Sequence, residues 1–429
     1  MSVAPNATNV LAASLHVTAH DADSLQVRFH AAGEQGDSVT PVSALADSAH
    51  LAVYGLLPER TYAFRVVAFG AAGAATSDSV LLTTGALPAD LPAFSTSGPA
   101  PSPGFVVFGA GKYGLVIDNT GRVVWYHLFP PNGPGLNFTV QSNGRYAAQP
   151  PVAPAAIPAW QEVDAAGVVT RTFGCARGLA PRFHDLVRES DDSYWVICDD
   201  VRTLDLSALG GSTTARVTGA EFQHIDPDGT LRFRWTAFDH LDIADLDPAD
   251  RSGANVNWTH ANAIVLRDDG MLLASFRNLS EITAIDTHTG AIAWRLGGRH
   301  DEFGLSDCCA PLFARQHGLR LTAAGSLLFL DNSGTPGDSR VERYAVDAAR
   351  RLARMDAAFS AAPPAVAMVG GSVQELPNGN ILAAFGDAHR VEEIDPAGHL
   401  AWRINGDPGY VFRAQRILSL YAPGTGAGR

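Results

Sequence analysis

The sequence predicts an all-β chain: a small β-sandwich followed by a six-bladed β-propeller. Three observations carry the prediction. Gly (42) and Pro (26) are plentiful among the 429 residues without any fixed period, as expected of many short strands joined by tight turns. Short stretches alternate apolar and polar residues, the period of half-buried strands. One turn motif recurs six times between residues 93 and 429.

Composition narrows the class. Hydrophobic residues make up 46% and charged ones 17%, enough for a large core and too apolar for disorder. No stretch of about 18 apolar residues lacks charges or breakers, so no membrane span is expected. A net charge of −13 argues against nucleic acid as the main partner. The start, Met1-Ser-Val-Ala-Pro-Asn6, has neither a basic n-region nor an apolar h-region. That leaves a cytosolic protein, or one whose secretion signal has been removed. Cys175, Cys198, Cys308 and Cys309 are too few for a disulfide scaffold, and no CxxC pair occurs.

Ser24–His30 and Thr61–Val66 read as period-2 strands. The segment Leu56-Leu-Pro-Glu-Arg-Thr-Tyr62-Ala-Phe64-Arg-Val66 resembles the late-strand signature of fibronectin type III domains, in which a corner Tyr bonds back to the turn. Residues 1–92 are therefore expected to form an immunoglobulin/fibronectin III-like sandwich, acting as a spacer or holding a homodimer together. Pro-rich sequence from Gly85 through Pro103 reads as a linker. The propeller would occupy residues 93–429.

The recurring motif is an aliphatic residue, Asp, a short turn, Gly, then a strand that often ends in Trp. Its Asp positions are 118, 164, 226, 286, 347 and 395, and the copy at Asp347 lacks the Gly. Spacings of 46 to 62 residues suit four-stranded blades enlarged by loops. Each copy reads as a hairpin whose Gly supplies a positive φ. A second hairpin alternates with it, turning at Gly144, Ser193, Gly270, Gly325 and Gly379. Counted back from those turns, Asp185, Asn262, His317 and Gly371 fall in phase, with His184 and His260 one and two residues earlier. Equivalent positions in different blades form a ring, so these side chains should converge at the channel mouth. Arg277, at the end of the returning strand, comes back to the level of His260.

A lone His at a strand start is usually a structural hydrogen-bonder, Arg277 could pair with a blade carboxylate, and Asn262 could cap a turn. Three His at nearly one phase beside an Arg are harder to assign to packing. A Zn²⁺ site would need supporting carboxylates, of which only Asp185 is evident, and an Arg alongside disfavours a cation. Ca²⁺ would need oxygen ligands. Anion chemistry fits best: Arg and protonated His stabilise negative oxygens while a neutral His attacks or moves a proton. No metal is expected.

Trp258-Thr-His260-Ala-Asn262, Ser275-Phe-Arg277 and Gln316-His317-Gly318, in that order, resemble the bacterial arylsulfate sulfotransferase (arylsulfotransferase) family over roughly residues 100–415. The resemblance implies a six-bladed propeller that needs no nucleotide donor and no cofactor, and takes a small anionic aromatic substrate. It further implies that His317 is transiently sulfurylated by a phenolic sulfate, that His260, Asn262 and Arg277 hold the sulfuryl oxygens, and that His184 handles the phenolic proton. A first-blade Tyr, Tyr113 or Tyr126, is expected in the site. Members are mostly periplasmic or secreted, which favours a removed signal and leaves Cys308-Cys309 as a vicinal disulfide or free thiols. The alternatives are a propeller lyase, isomerase or hydrolase acting on an anionic aromatic, or a non-catalytic ligand-binding propeller.

Overall fold

The computed structural model describes residues 1–154, 156–305, 313–335 and 337–421. Two sheets come first. One joins Ser2–Pro5, Ala12–Thr18 and Ser48–Tyr54; the other is centred on Ser24–Ala31 and Thr61–Gly70, with four short strands on their flanks. Alternation turns Leu15, Val17, Leu25, Val27, Val53, Phe64 and Val66 into one shared core. The Tyr62 hydroxyl accepts the Leu57 N–H at 2.8 Å, the kind of bond a corner Tyr makes.

Among the described residues, six further sheets each contain a four-strand antiparallel run, and three of them carry an extra strand. Their innermost strands are Ala414–Ile417, Phe138–Val140, Ala180–Arg188, Ala261–Leu266, His317–Leu321 and Ser372–Glu375, in order around a central axis. This is a β-propeller. Hydrogen bonds between distant chain segments close it twice. Ala414–Ile417 supplies the inner strand of the first sheet by pairing with Phe105–Ala110, and Ser95–Ser97 adds to the outer edge of the last by pairing with Leu400–Asn405. The closure explains the two hairpin counts. The Asp-turn joins the third and fourth strands of all six sheets. The other joins first and second strands, which in the first sheet come from opposite ends of the chain.

In five of the six Asp-turns the Asp side chain accepts N–H groups of its own turn, whereas at Asp226 the neighbouring Asp228 accepts the Thr230 N–H instead. Asp395 Oδ1 accepts the N–H groups of Ala397 and His399 at 2.9 and 2.8 Å, and Gly398 takes φ +88°. In the copy without Gly, Arg351 adopts φ +54° instead. In two copies the motif's Trp serves the next sheet, whereas Trp235 Nε1 has no hydrogen-bond partner among the described residues. Trp125 Nε1 donates to Ala165 O at 2.8 Å and Trp402 Nε1 to Asn119 O at 3.0 Å, each carbonyl lying in the neighbouring Asp-turn.

At the axis, Asp185 is buried and accepts from Arg413 Nη1 (2.9 Å), Arg320 Nη1 (3.1 Å) and the Ile264 N–H (3.2 Å). One carboxylate thus ties the first, third, fourth and fifth sheets together. Burial pushes its carboxyl up, but the two guanidinium groups outweigh burial and hold it below the ordinary range. Cys175 and Cys198 form a disulfide (Cα–Cα 6.1 Å) between the loop leaving the second sheet and a strand of the third, a bridge the sparse cysteine count did not predict. Cys308 and Cys309 lie outside the described residues.

Removing the axial carboxylate leaves Arg413 buried without its counter-charge. Asp185→Ala should therefore lose ~3–5 kcal/mol in urea unfolding, and adding Arg413→Met should recover part of that loss. An unchanged unfolding midpoint in the single variant would show that this cluster does not hold the sheets.

Candidate active site

The three predicted histidines converge. One ring nitrogen of each lies within 4.8 Å of the others, with ring centroids 4.9 Å (His184–His260), 5.8 Å (His260–His317) and 6.5 Å (His184–His317) apart. His184 sits within the inner strand of the third sheet, and His317 opens that of the fifth. His260 precedes the inner strand of the fourth in a left-handed conformation (φ +48°), which is uncommon for a residue with a Cβ. Phe183 stacks on His184 at 4.1 Å, and Phe412 lies 5.6 Å from His184 and 6.4 Å from His317. The rings therefore sit in a largely dry aromatic setting.

Neighbouring amides fix the protons. Asn332 Nδ2 donates to the carbonyls of Ala367 (2.7 Å) and Gly370 (3.0 Å), which turns its Oδ1 toward His317 Nδ1 at 2.9 Å. Arg315 O faces the same nitrogen at 3.2 Å. Two acceptors on Nδ1 assign the proton there and leave the Nε2 lone pair free. The opposite holds at His260. Asn257 Oδ1 accepts from Arg182 Nη2 (3.3 Å), so its Nδ2 donates to His260 Nδ1 (2.8 Å) and the ring proton sits on Nε2. Sequence reasoning missed both amides, although Asn332 carried a signal. It lies seven residues after the turn Gly325, as Arg277 lies seven after Gly270.

Arg277 returns to His260 as expected, its N–H donating to His260 O at 3.1 Å. Its Nη1 and Nη2 donate to Asn278 Oδ1 (2.7 Å) and Met368 O (3.2 Å), and its buried Nε has no partner. Among the described residues it forms no ion pair within 4.0 Å. Burial, then Arg315, pulls its pKa down. It is a partly dehydrated cation short of an anion.

Asn262 is placed differently from what the resemblance implies. It is fully buried, and its Nδ2 donates to Gln316 O at 2.6 Å. Gln316 Nε2 in turn donates to Ser275 Oγ at 3.0 Å. The three motif pieces are thus cross-braced, and Asn262 braces the backbone beside His317.

Two expectations are corrected. Tyr113 and Tyr126 are buried in the core of the first and sixth sheets. The Tyr113 hydroxyl donates to Asp90 (2.7 Å) and that of Tyr126 accepts the Val10 N–H (3.1 Å), so the segment preceding the propeller takes both away from the site. The Tyr near Arg277 is Tyr410, on the loop before the closing strand; burial and then Asp387 push it up to about 12. Secondly, no histidine here is a standing cation. Burial drives His317 down to about 4, with Arg277 adding to it against the Asn332 bond. Burial, His260 and Arg182 hold His184 well below 6.5, and burial, His317 and Arg182 do the same to His260.

Three convergent imidazoles could in principle hold a metal ion. The surroundings oppose it: Arg182, Arg277, Arg315 and Arg413 bear on these rings, Asn257 points an N–H at His260, and Asp185 is committed to arginines. Neutral imidazoles beside the Arg277 guanidinium, which forms no ion pair among the described residues, suit an anion.

The fold and this cluster define a propeller with a buried His/Arg cluster at one end of its axis. The sequence profile of the arylsulfotransferase (ASST) family matches residues 180–407, just over half of the chain, and the chain belongs to that family. No curated protein matches it. Similar solved structures include a Bacteroides caccae protein of unknown function (12% identity, 73% of this chain and 98% of that one, TM-score 0.48). They also include a putative 6-phosphogluconolactonase from Bacteroides uniformis (13%, 74% and 100%, TM-score 0.43). Virginiamycin B lyase from Staphylococcus aureus is a third (12%, 72% and 88%, TM-score 0.39).

Histidines held neutral make stability pH-dependent. Their folded-state pKa values lie below the ordinary 6.5, so as pH falls below that value the unfolded chain takes up protons the folded chain refuses. The contribution of His317 is complete above 6.5 and is lost as pH falls through about 4, and those of His184 and His260 are lost in the same direction. Between pH 7 and pH 5, wild type should lose more melting temperature than His317→Asn. Equal losses would mean that His317 is not held neutral by folding.

Proposed function

We propose that this chain is a nucleotide-independent aryl sulfotransferase that moves a sulfuryl group from a phenolic sulfate to a phenol through His317. The observation that carries the reading is the free Nε2 lone pair of His317 in the same pocket as a guanidinium with no carboxylate partner among the described residues. Arg277 and the His260 Nε2–H bind the sulfuryl oxygens. His317 Nε2 attacks sulfur, an N–S bond forms and the S–O bond to the donor phenol breaks. The bound sulfate anion favours the protonated form of His184, which gives its proton to the leaving oxygen and returns to the neutral ring. The charge left on the His317 ring is stabilised by Asn332 Oδ1 and Arg315 O, both already facing Nδ1. An acceptor phenol then attacks sulfur, returns its proton to His184 and frees His317. The six sheets act as six blades. Residues 1–92 act as a fibronectin III-like spacer or dimer contact, and the Cys175–Cys198 bridge supports a periplasmic or secreted location.

Wild type incubated with a phenyl sulfate and a phenol, without nucleotide, should transfer sulfate. With donor alone, intact-protein mass spectrometry should show one sulfuryl adduct, absent from His317→Asn. An adduct that survives this substitution moves the nucleophile elsewhere. Arg277→Ala should lose ~2–4 kcal/mol of transition-state stabilisation, seen as a higher KM and a lower kcat, and Arg277→Lys should recover only part because an ammonium lacks the planar fork.

A second reading, metal-assisted hydrolysis, is favoured by the convergence of the three rings alone. Purified protein should carry no stoichiometric Zn²⁺, and chelators should leave transfer unchanged. One metal per chain, lost together with activity in His260→Ala, would establish the second reading instead.

A further inference from the structure

The inner strands have two ends, and the histidines occupy only one. At the other end, walled by the turns that join first and second strands, lies a cavity of about 1170 Å³. None of the three histidines lines it. Its floor is the axial cluster, since Arg320 and Arg413 both line it while their shared partner Asp185 does not. Two guanidinium groups therefore meet one carboxylate. Arg413 is buried, and its Nε has no hydrogen-bond partner among the described residues. The Arg320 side chain keeps 24% of its surface exposed. The walls include Val140, Val265, Val373 and Leu420, and most of the exposed lining is apolar.

We propose that this cavity is a second binding site, for an organic anion with an apolar body whose charged end reaches Arg320 and Arg413. A cation pair sharing one carboxylate, with one member buried and the other facing the cavity, gains from a second anion, most strongly at the buried member where screening is weak. Like-charge crowding on the floor is already visible: burial and then Arg320 lower the Arg413 guanidinium to about 10. The acidic side chains of the lining, Asp268, Asp269 and Glu375, sit at the turns of the rim. There Asp269 pairs with Arg267 (2.7 Å) and Glu375 accepts the Ala323 N–H (2.8 Å). Charges at the wet rim are screened within a Debye length, whereas the floor's are not. A ligand whose charge is at its buried tip and whose apolar part spans the walls satisfies both ends. The floor also touches the chemistry. Arg413 Nη2 donates to His184 O at 3.1 Å, and Asp185 is the next residue, so an occupant that draws on Arg413 bears on the His184 backbone. The site stands on its own geometry and does not depend on the transferred group.

Decanoate is the probe, with decanol as its neutral counterpart, titrated calorimetrically against the full chain. Decanoate should bind saturably at one site, more tightly than decanol. Arg320→Met should weaken decanoate at least about tenfold with little effect on decanol, and Arg320→Lys should recover part of the loss. His317→Asn should leave decanoate binding unchanged. Val140→Trp, which narrows the walls, should weaken both ligands and serves if Arg320→Met does not fold. Absence of saturable binding, equal affinity in Arg320→Met, or loss of binding in His317→Asn would each overturn the assignment, the last by placing the ligand at the histidine end.

Discussion

A single carboxylate organises the axis. Asp185 is buried where the inner strands meet, and no neutral side chain could replace it without leaving Arg413 as an uncompensated buried charge. Its contacts reach Arg320 in the fifth sheet, the Ile264 N–H in the fourth and Arg413 beside the closing strand of the first. The residue before it is His184, whose carbonyl Arg413 also holds. The position of one of the three imidazoles is therefore set by the interaction that keeps the ring of sheets closed. The same cluster divides the axis into a histidine end and a cavity end.

Around the histidines, electrostatics and amide geometry act in one direction. Burial and neighbouring guanidinium groups make all three rings poor proton acceptors, so the lone pair of His317 is not quenched near neutral pH. Asn332 and Arg315 O select which nitrogen carries it. A ring depressed this far is a weak base in bulk terms. In the proposed transfer, nucleophilic attack rests on the acceptors facing Nδ1, which favour the charged ring only once a bond forms at Nε2. Among the described residues the partners of the Arg277 side chain are neutral oxygens, which leave its charge uncompensated beside these rings.

Much of this was legible in the sequence because propeller repeats convert spacing into position. The six Asp-turns marked the third-to-fourth strand hairpins, and the phase of His184, His260 and His317 relative to the intervening turns placed them at one mouth. Arg277 followed from counting along the returning strand. The same count from Gly325 reaches Asn332, so that residue was readable but looked like an ordinary loop amide. Other features depend on contacts between distant segments, which no local pattern encodes. Tyr113 and Tyr126 have the right type and blade, yet Asp90 and Val10 claim their hydroxyls. Tyr410 arrives from a loop some 300 residues away in sequence. The charge state of the histidines was misjudged because protonation depends on burial and on four arginines that only the fold brings together. Likewise, Asn262 fell in phase with the ring but braces Gln316, since a bulge between Ala261 and Ala263 turns the strand locally.

The central claim is that the fold presents His317 as a neutral imidazole with its proton on Nδ1 and its lone pair on Nε2. Long-range ¹H–¹⁵N spectra of histidine-labelled protein, assigned with His317→Asn, read this directly. The account predicts a protonated Nδ1 and a bare Nε2 for His317 at pH 7, with no titration until the pH nears about 4. A proton on Nε2, or a ring that titrates near the ordinary 6.5, would contradict it.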